Sequence, residues 1–489
     1  MSDHLWQPGN DHQVTRRSLL RGGAGAAALA ALASCGSTGS PHSARSPRSA
    51  GSTHGAGSPE GTQPADGAGS PSLVGANVRV THDGYREHVG PSVAANPRQP
   101  RQLLVACQAS PVIPELIVTY MSSDGGVSWQ NGGRPPQPAA GPAGDDVTVA
   151  FDAHGRGYIC ATRSGHGSNP NPARLNANRA VYVWRTDDGG RSFSAPVTVV
   201  EGQYCDHPWL ATGGQTPAAH DVYVAWGAGD SHTAVDLARS NDGGQSFAPP
   251  RRILGEATVP SLVSAGPQVA AGPHGLVCAV CDWTTQPDSS GDLVGEVVAV
   301  CSTDAGRSFG APVRLGAESA IIALPGGARP NSGPTVASSP QGDALYVAFP
   351  KHQPRAAHSD IVVTASYDHG RTWTKAVTAT PDDDVIYFQP NLAVDAAGRV
   401  AISAFALANG RVDEVLLLSR PGELRFRRPI RVTTAPFNPR NPTTASRGKY
   451  GTWWIGDWQG IAASTGGFHL VWNDTRTGKL DLYAATVRP

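Results

Sequence analysis

The sequence predicts an all-β protein, a β-propeller of four-stranded blades, with seven blades counted and six as the alternative. Three observations point to it. A short turn segment recurs five times, and an apolar strand pair recurs seven times, about 55 to 70 residues apart. The composition favours turns and short strands over helices, with 58 Gly and 41 Pro but only two Met in 489 residues.

The strand pairs fix the blade count. Pro91-Ser92-Val93-Ala94 precedes Leu103–Cys107, and Val147–Ala150 precedes Tyr158–Ala161. Pro208–Ala211, Pro267–Ala270, Pro334–Ala337, Pro390–Ala393 and Gln459–Ala462 each precede a similar apolar strand. Each interval is long enough for a four-stranded blade. The seventh unit runs out after its third strand. Asn77-Val78-Arg79-Val80-Thr81 has the pattern of a fourth strand, so it is expected to complete the blade at 454–488 and close the ring.

The recurring turn reads Ser122-Ser123-Asp124-Gly125-Gly126-Val127-Ser128-Trp129 in its first copy. It returns around Asp187, Asp242, Asp304 and Asp368, and the sixth unit has lost it. Gly supplies positive φ, the Asp accepts backbone N–H groups, and the aromatic residue packs beneath. All five Asp are therefore expected to stabilise turns. The pattern Ser/Thr-x-Asp-x-Gly-x-Ser/Thr-Trp/Phe resembles the Asp box of bacterial neuraminidase-repeat proteins. The resemblance covers most of 77–488 and implies a sialidase-like propeller with its boxes on the rim, away from substrate.

That resemblance would also imply an arginine triad, a Tyr nucleophile backed by Glu, and an Asp acid/base. The family's Arg-Ile-Pro motif is missing, because the first inner strand reads His88-Val89-Gly90-Pro91. Arg329 and Arg447 precede inner strands without the motif. Tyr204, Tyr387 and Tyr450 also precede inner strands, with Asp206 beside Tyr204. The likeness holds for the fold and fails at the catalytic signature.

Aligning the seven inner strands locates an alternative site at the central mouth. Two positions before the Pro-equivalent residue stand Val89, Asp145, Asp206, Ala265, Ser332, Phe388 and Asp457. One position before it stand Gly90, Asp146, His207, Gly266, Gly333, Gln389 and Trp458. Three carboxylates in equivalent places should converge on one axis. Asp145, Asp206 and Asp457 are the catalytic candidates. His207, Asp146, His88, Gln389, Arg476 and Tyr450 are the substrate-binding candidates. Such a cluster suits Ca²⁺, the paired carboxylates of a glycosidase, or the orientation of sugar hydroxyls. The plainer reading is that each Asp caps its own strand.

The N-terminal 35 residues form an address. Thr15-Arg16-Arg17-Ser18-Leu19-Leu20-Arg21 resembles a twin-arginine export signal, followed by a weakly apolar run from Gly22 to Ala33. Leu32-Ala33-Ser34-Cys35 resembles a lipobox, which makes Cys35 the expected lipidation site and the membrane the place of attachment. Residues 36–75 are rich in Gly, Ser and Pro and read as a disordered tether, with residues 76–489 as the propeller. Six further cysteines permit up to three disulfides in an exported domain. Cys278-x-x-Cys281 would be half a zinc site, but no second ligand pair follows it.

Lys plus Arg equals Asp plus Glu at 39 each, so no basic excess attracts nucleic acid. The expected partner is an extracellular glycan or surface polysaccharide, and the closed ring is expected to be a monomer. Three function classes stay open. They are a glycoside hydrolase or polysaccharide lyase, a non-catalytic glycan- or protein-binding module, and a sialidase with displaced catalytic residues.

Overall fold

The computed structural model describes residues 72–489, apart from 111–115, 164–178, 214–219, 230–232, 256–261, 264–265, 288–292, 320–323, 325–332, 353–357, 382 and 441–452. Cys35 and Tyr450 lie outside the described residues. Residues 73–489 form one compact unit.

That unit is a seven-bladed propeller of antiparallel sheets. The inner strands of blades 1 to 7 are Glu87–Ala95, Asp145–Phe151, Asp206–Thr212, Gln268–Ala271, Thr335–Ser338, Ile386–Val394 and Gly460–Ser464. Consecutive inner strands pack side by side, and the first packs against the last. Blades 5 and 6 share a single parallel pairing, Ser359 with Ile386, and are otherwise separate units.

Period-2 alternation buries both faces of every blade. On the second strand of blade 1, Leu103, Val105, Cys107 and Ala109 face one side, and Leu104 and Ala106 face the other. The first set meets Val471 and Leu482 of blade 7, and the second meets Ile159 and Ala161 of blade 2. Seven such apolar clusters fill the seven seams between neighbouring blades. The core is thus a ring of interfaces with no single centre.

The N-terminal strand closes the ring as its pattern predicts. Val78 pairs with Ala484 and Arg79 with Tyr483 on the outer edge of blade 7. The seam carries charge as well. Asp481, fully buried, accepts from Thr81 Oγ1 at 2.8 Å and pairs with Arg79 at 3.1 Å.

The boxes join third to fourth strands. In the first, Asp124 Oδ1 accepts from Ser122 Oγ and from the N–H groups of Val127 and Ser128, and Ser128 Oγ donates to Oδ2 at 2.6 Å. The second copy corrects the expectation at Asp187, because the turn acceptor there is Asp188. Asp187 instead pairs with Arg156 at 2.7 Å. The doublet Asp187-Asp188 is resolved by spacing, since the acceptor lies two residues after Thr186. Burial opposes charge at Asp188, yet the Ser192, Thr186 and Arg191 donors outweigh it and hold the carboxyl down at about 2. The last glycine of each box also sits close against the neighbouring blade. Gly190 has φ 99°, and a Cβ there would meet Leu104 of blade 1 at 2.6 Å.

One disulfide is present among the described residues. It joins Cys278 to Cys301 across paired strands of blade 4. Cys107, Cys160, Cys205 and Cys281 are buried free thiols. With Cys278 in the disulfide, a metal role for Cys278-x-x-Cys281 is removed.

Candidate functional site at the central mouth

Four of the seven inner strands, those of blades 1, 2, 3 and 6, enter the ring through a bulge. Register skips two residues at Gly90-Pro91, Asp146-Val147, His207-Pro208 and Gln389-Pro390. The first residue of each pair has positive φ, including the non-glycines Asp146 (53°), His207 (47°) and Gln389 (50°). Such conformations cost about 1–3 kcal/mol each and persist where surroundings over-determine them. The bulges of blades 3 and 6 deliver His207 and Gln389 to a shallow, open recess lined by residues of blades 3 to 7.

Asp146, buried, sits at the middle of the acidic group. Its Oδ2 accepts the His207 N–H at 3.1 Å, and its Oδ1 lies 3.9 Å from His207 Nε2. Burial first, then the charges of Asp145, Asp206 and Asp457, push its carboxyl well above the usual carboxylate range. Asp146, rather than one of the three expected catalytic residues, is the group on which the charges of Asp145, Asp206 and Asp457 act together. Asp457 accepts from the Trp454 indole at 2.8 Å.

Asp206 has its own support. Tyr204 donates to Oδ2 at 3.1 Å, Arg179 Nη1 lies 3.9 Å from Oδ1, and the guanidinium stacks 4.6 Å over the Tyr204 ring. His207 Nδ1 stands 3.8 Å from Asp206. Burial, then the Asp206 charge, raise the Tyr204 phenol well above its ordinary value. A nucleophilic phenolate needs the opposite shift.

Two tryptophans complete the mouth. Trp458 meets His207 and Trp209 edge-on, with ring centroids 6.1 and 5.9 Å apart, and donates to Gly90 O at 3.0 Å. Trp458 stands in the aligned ring position, a signal that could have named it. Trp209 is the residue after a Pro-equivalent position, and alignment alone did not single it out. Gln389 lines the recess and donates to Gly456 O at 2.7 Å. Gly266 makes room for His207, since a Cβ at its φ of 75° would overlap His207 Cβ.

Two expected binding residues are placed elsewhere. The His88 ring is fully buried and bonded to Asp83 at 2.9 Å and to Leu480 O, in the seam that closes the ring. Arg476 bonds Asp474 at 2.6 Å, stacks over Tyr483 and reaches Thr434 and Asn77. Both support closure, because their side chains turn into packed partners rather than towards the axis.

No family model and no curated protein matches the sequence. Among solved structures, the chain is similar to an ulvan lyase of family PL25 bound to a GlcA(1-4)Rha3S unit. Identity is 11%, the match covers 82% of this chain and 94% of that one, and the TM-score is 0.52. An α-L-arabinofuranosidase from Fusarium graminearum matches at 14% identity over 72% and 99% of the chains, with a TM-score of 0.49. A Hadza microbial sialidase matches at 12% over 78% and 73%, with a TM-score of 0.45. At these identities the similarity is one of fold.

Proposed function

We propose that this protein is a cell-surface propeller that takes an extracellular glycan at its central mouth and acts on it through Asp145, Asp206 and Asp457. One observation carries the reading: blades 2, 3, 6 and 7 bring carboxylates, an imidazole, an amide and two indoles together on the ring axis. Indole faces pack on sugar rings, and carboxylates accept from hydroxyls or move protons at a glycosidic bond. The fold likeness to the ulvan lyase adds an analogy, and a fold of this kind hosts many activities.

The test offers the full chain to ulvan, arabinan, sialyllactose and a panel of neutral polysaccharides. Reducing ends, unsaturated products and binding are all measured. Turnover lost in Asp206→Asn with folding intact supports the reading. Binding without product makes the protein a binding module, and neither binding nor product on any glycan removes the proposal.

The surface location rests on the N-terminal address. Radiolabelled fatty acid should enter the wild type and not Cys35→Ala; equal labelling of both would sink the anchor.

A further inference from the structure

We propose that Asp146, His207 and Asp457 hold a divalent first-row transition-metal ion at the mouth. Their candidate ligand atoms come from blades 2, 3 and 7 and lie within 4.8 Å of one another. Atoms about 2.0–2.2 Å from one ion stand roughly 3–4.4 Å apart, so small side-chain rotations close the set. The 3.9 Å between His207 Nε2 and Asp146 Oδ1 already falls in that range.

The surroundings are those of a supported ligand set. A metal-binding imidazole characteristically turns its other nitrogen to a carboxylate, which fixes ring orientation and raises ligand basicity. His207 Nδ1 faces Asp206 at 3.8 Å, and Asp206 is steadied by Tyr204 and Arg179. Each carboxylate ligand is anchored through one oxygen. For Asp146 the anchor is the His207 N–H on Oδ2, which points Oδ1 at the imidazole. For Asp457 it is the Trp454 indole on Oδ1.

Donor chemistry selects the ion. Carboxylates alone would suit Ca²⁺, which prefers six to eight oxygens. The imidazole moves the preference to Mn²⁺, Fe²⁺ or Zn²⁺. Three protein ligands leave coordination positions for water or sugar hydroxyls. The inference does not depend on the glycan reading, because metal binding is measured with no sugar present.

The experiment titrates chelator-stripped full-length protein in detergent with MnCl₂, following loss of the free Mn²⁺ electron paramagnetic resonance signal. One equivalent should bind. Outer-shell changes cost about 10–100-fold in metal affinity, so His207→Gln and Asp457→Asn, which each remove a ligand, should lose at least about 100-fold. Asp457→Asn keeps an oxygen for Trp454 and is the variant expected to fold as the wild type does. Equimolar Zn²⁺ should displace Mn²⁺, and equimolar Ca²⁺ should not. No Mn²⁺ binding by the wild type, unchanged affinity in folded Asp457→Asn, or ready displacement by Ca²⁺ would each overturn the proposal.

Discussion

Glu414 offers a direct measurement of what the seams cost when a polar group enters them. It pairs with Phe405 on the third strand of blade 6, on the same face as Val412, Leu416 and Leu418. Its side chain is fully buried, and neither carboxylate oxygen has a hydrogen-bond partner among the described residues. Burial therefore pushes its carboxyl well above the ordinary 4.5. The folded chain keeps the proton while the unfolded chain releases it above 4.5. Stability from this group is thus complete below 4.5 and is lost as pH rises towards the folded value. The slope is about 1.4 kcal/mol per pH unit, or roughly 2 kcal/mol between pH 5 and pH 6.5. Glu414→Gln retains the shape and removes the titration. Urea unfolding of both proteins at the two pH values isolates the effect, because other titrating groups cancel in the difference. The variant should gain about 2 kcal/mol relative to wild type across that interval. Equal pH dependence in both proteins would show that Glu414 ionises in the fold and has found a partner.

Three further outcomes follow from the geometry. Asp188→Ala should lose about 1–3 kcal/mol by chemical denaturation, and Asp187→Ala under about 1 kcal/mol, since Asp187 holds only an exposed ion pair; equal losses would place the turn acceptor wrongly. Deleting residues 77–81 removes Arg79 and Thr81 from buried Asp481 and should cost at least about 3 kcal/mol, or solubility; unaltered melting would mean that blade 7 closes otherwise. Gly266→Ala should displace His207, visible as a change in Trp458 and Trp209 fluorescence, and should weaken any ligand at the mouth; an unchanged emission spectrum would argue that the mouth tolerates a Cβ.

The repeat made the ring legible in sequence, because each seam demands the same alternation and each box the same acceptor spacing. The closing strand could be read for the same reason, as a fourth-strand pattern without a blade of its own. The mouth was legible in position but only partly in direction. Alignment placed Asp145, Asp206 and Asp457 at equivalent sites, and they do crowd Asp146. It could not show that a bulge turns Asp146, His207 and Gln389 into left-handed backbone, since only at glycine does residue type announce that conformation. Nor could it show His88 turning into the seam, where the partner Asp83 is near in sequence but Leu480 is almost four hundred residues away. Arg476 is similar, claimed by Asp474 and Tyr483 before it could reach the axis.

The pairing of Val78 with Ala484 has a consequence for the order of events during synthesis. The first part of the propeller to be made is the last to find its place. Until the final strand emerges, the Leu103 face of blade 1 lacks its full neighbour, while blades 2 to 5 can already bury both of theirs. Closing the ring therefore depends on contacts between residues some four hundred positions apart, and contacts of that kind are slow to form. Once made, the same junction resists opening for as long as its two ends hold. Interactions formed after the folding barrier chiefly slow unfolding. Cross-linking that one junction between chain ends is thus expected to lengthen the life of the folded ring more than strengthening any of the six seams within the continuous chain.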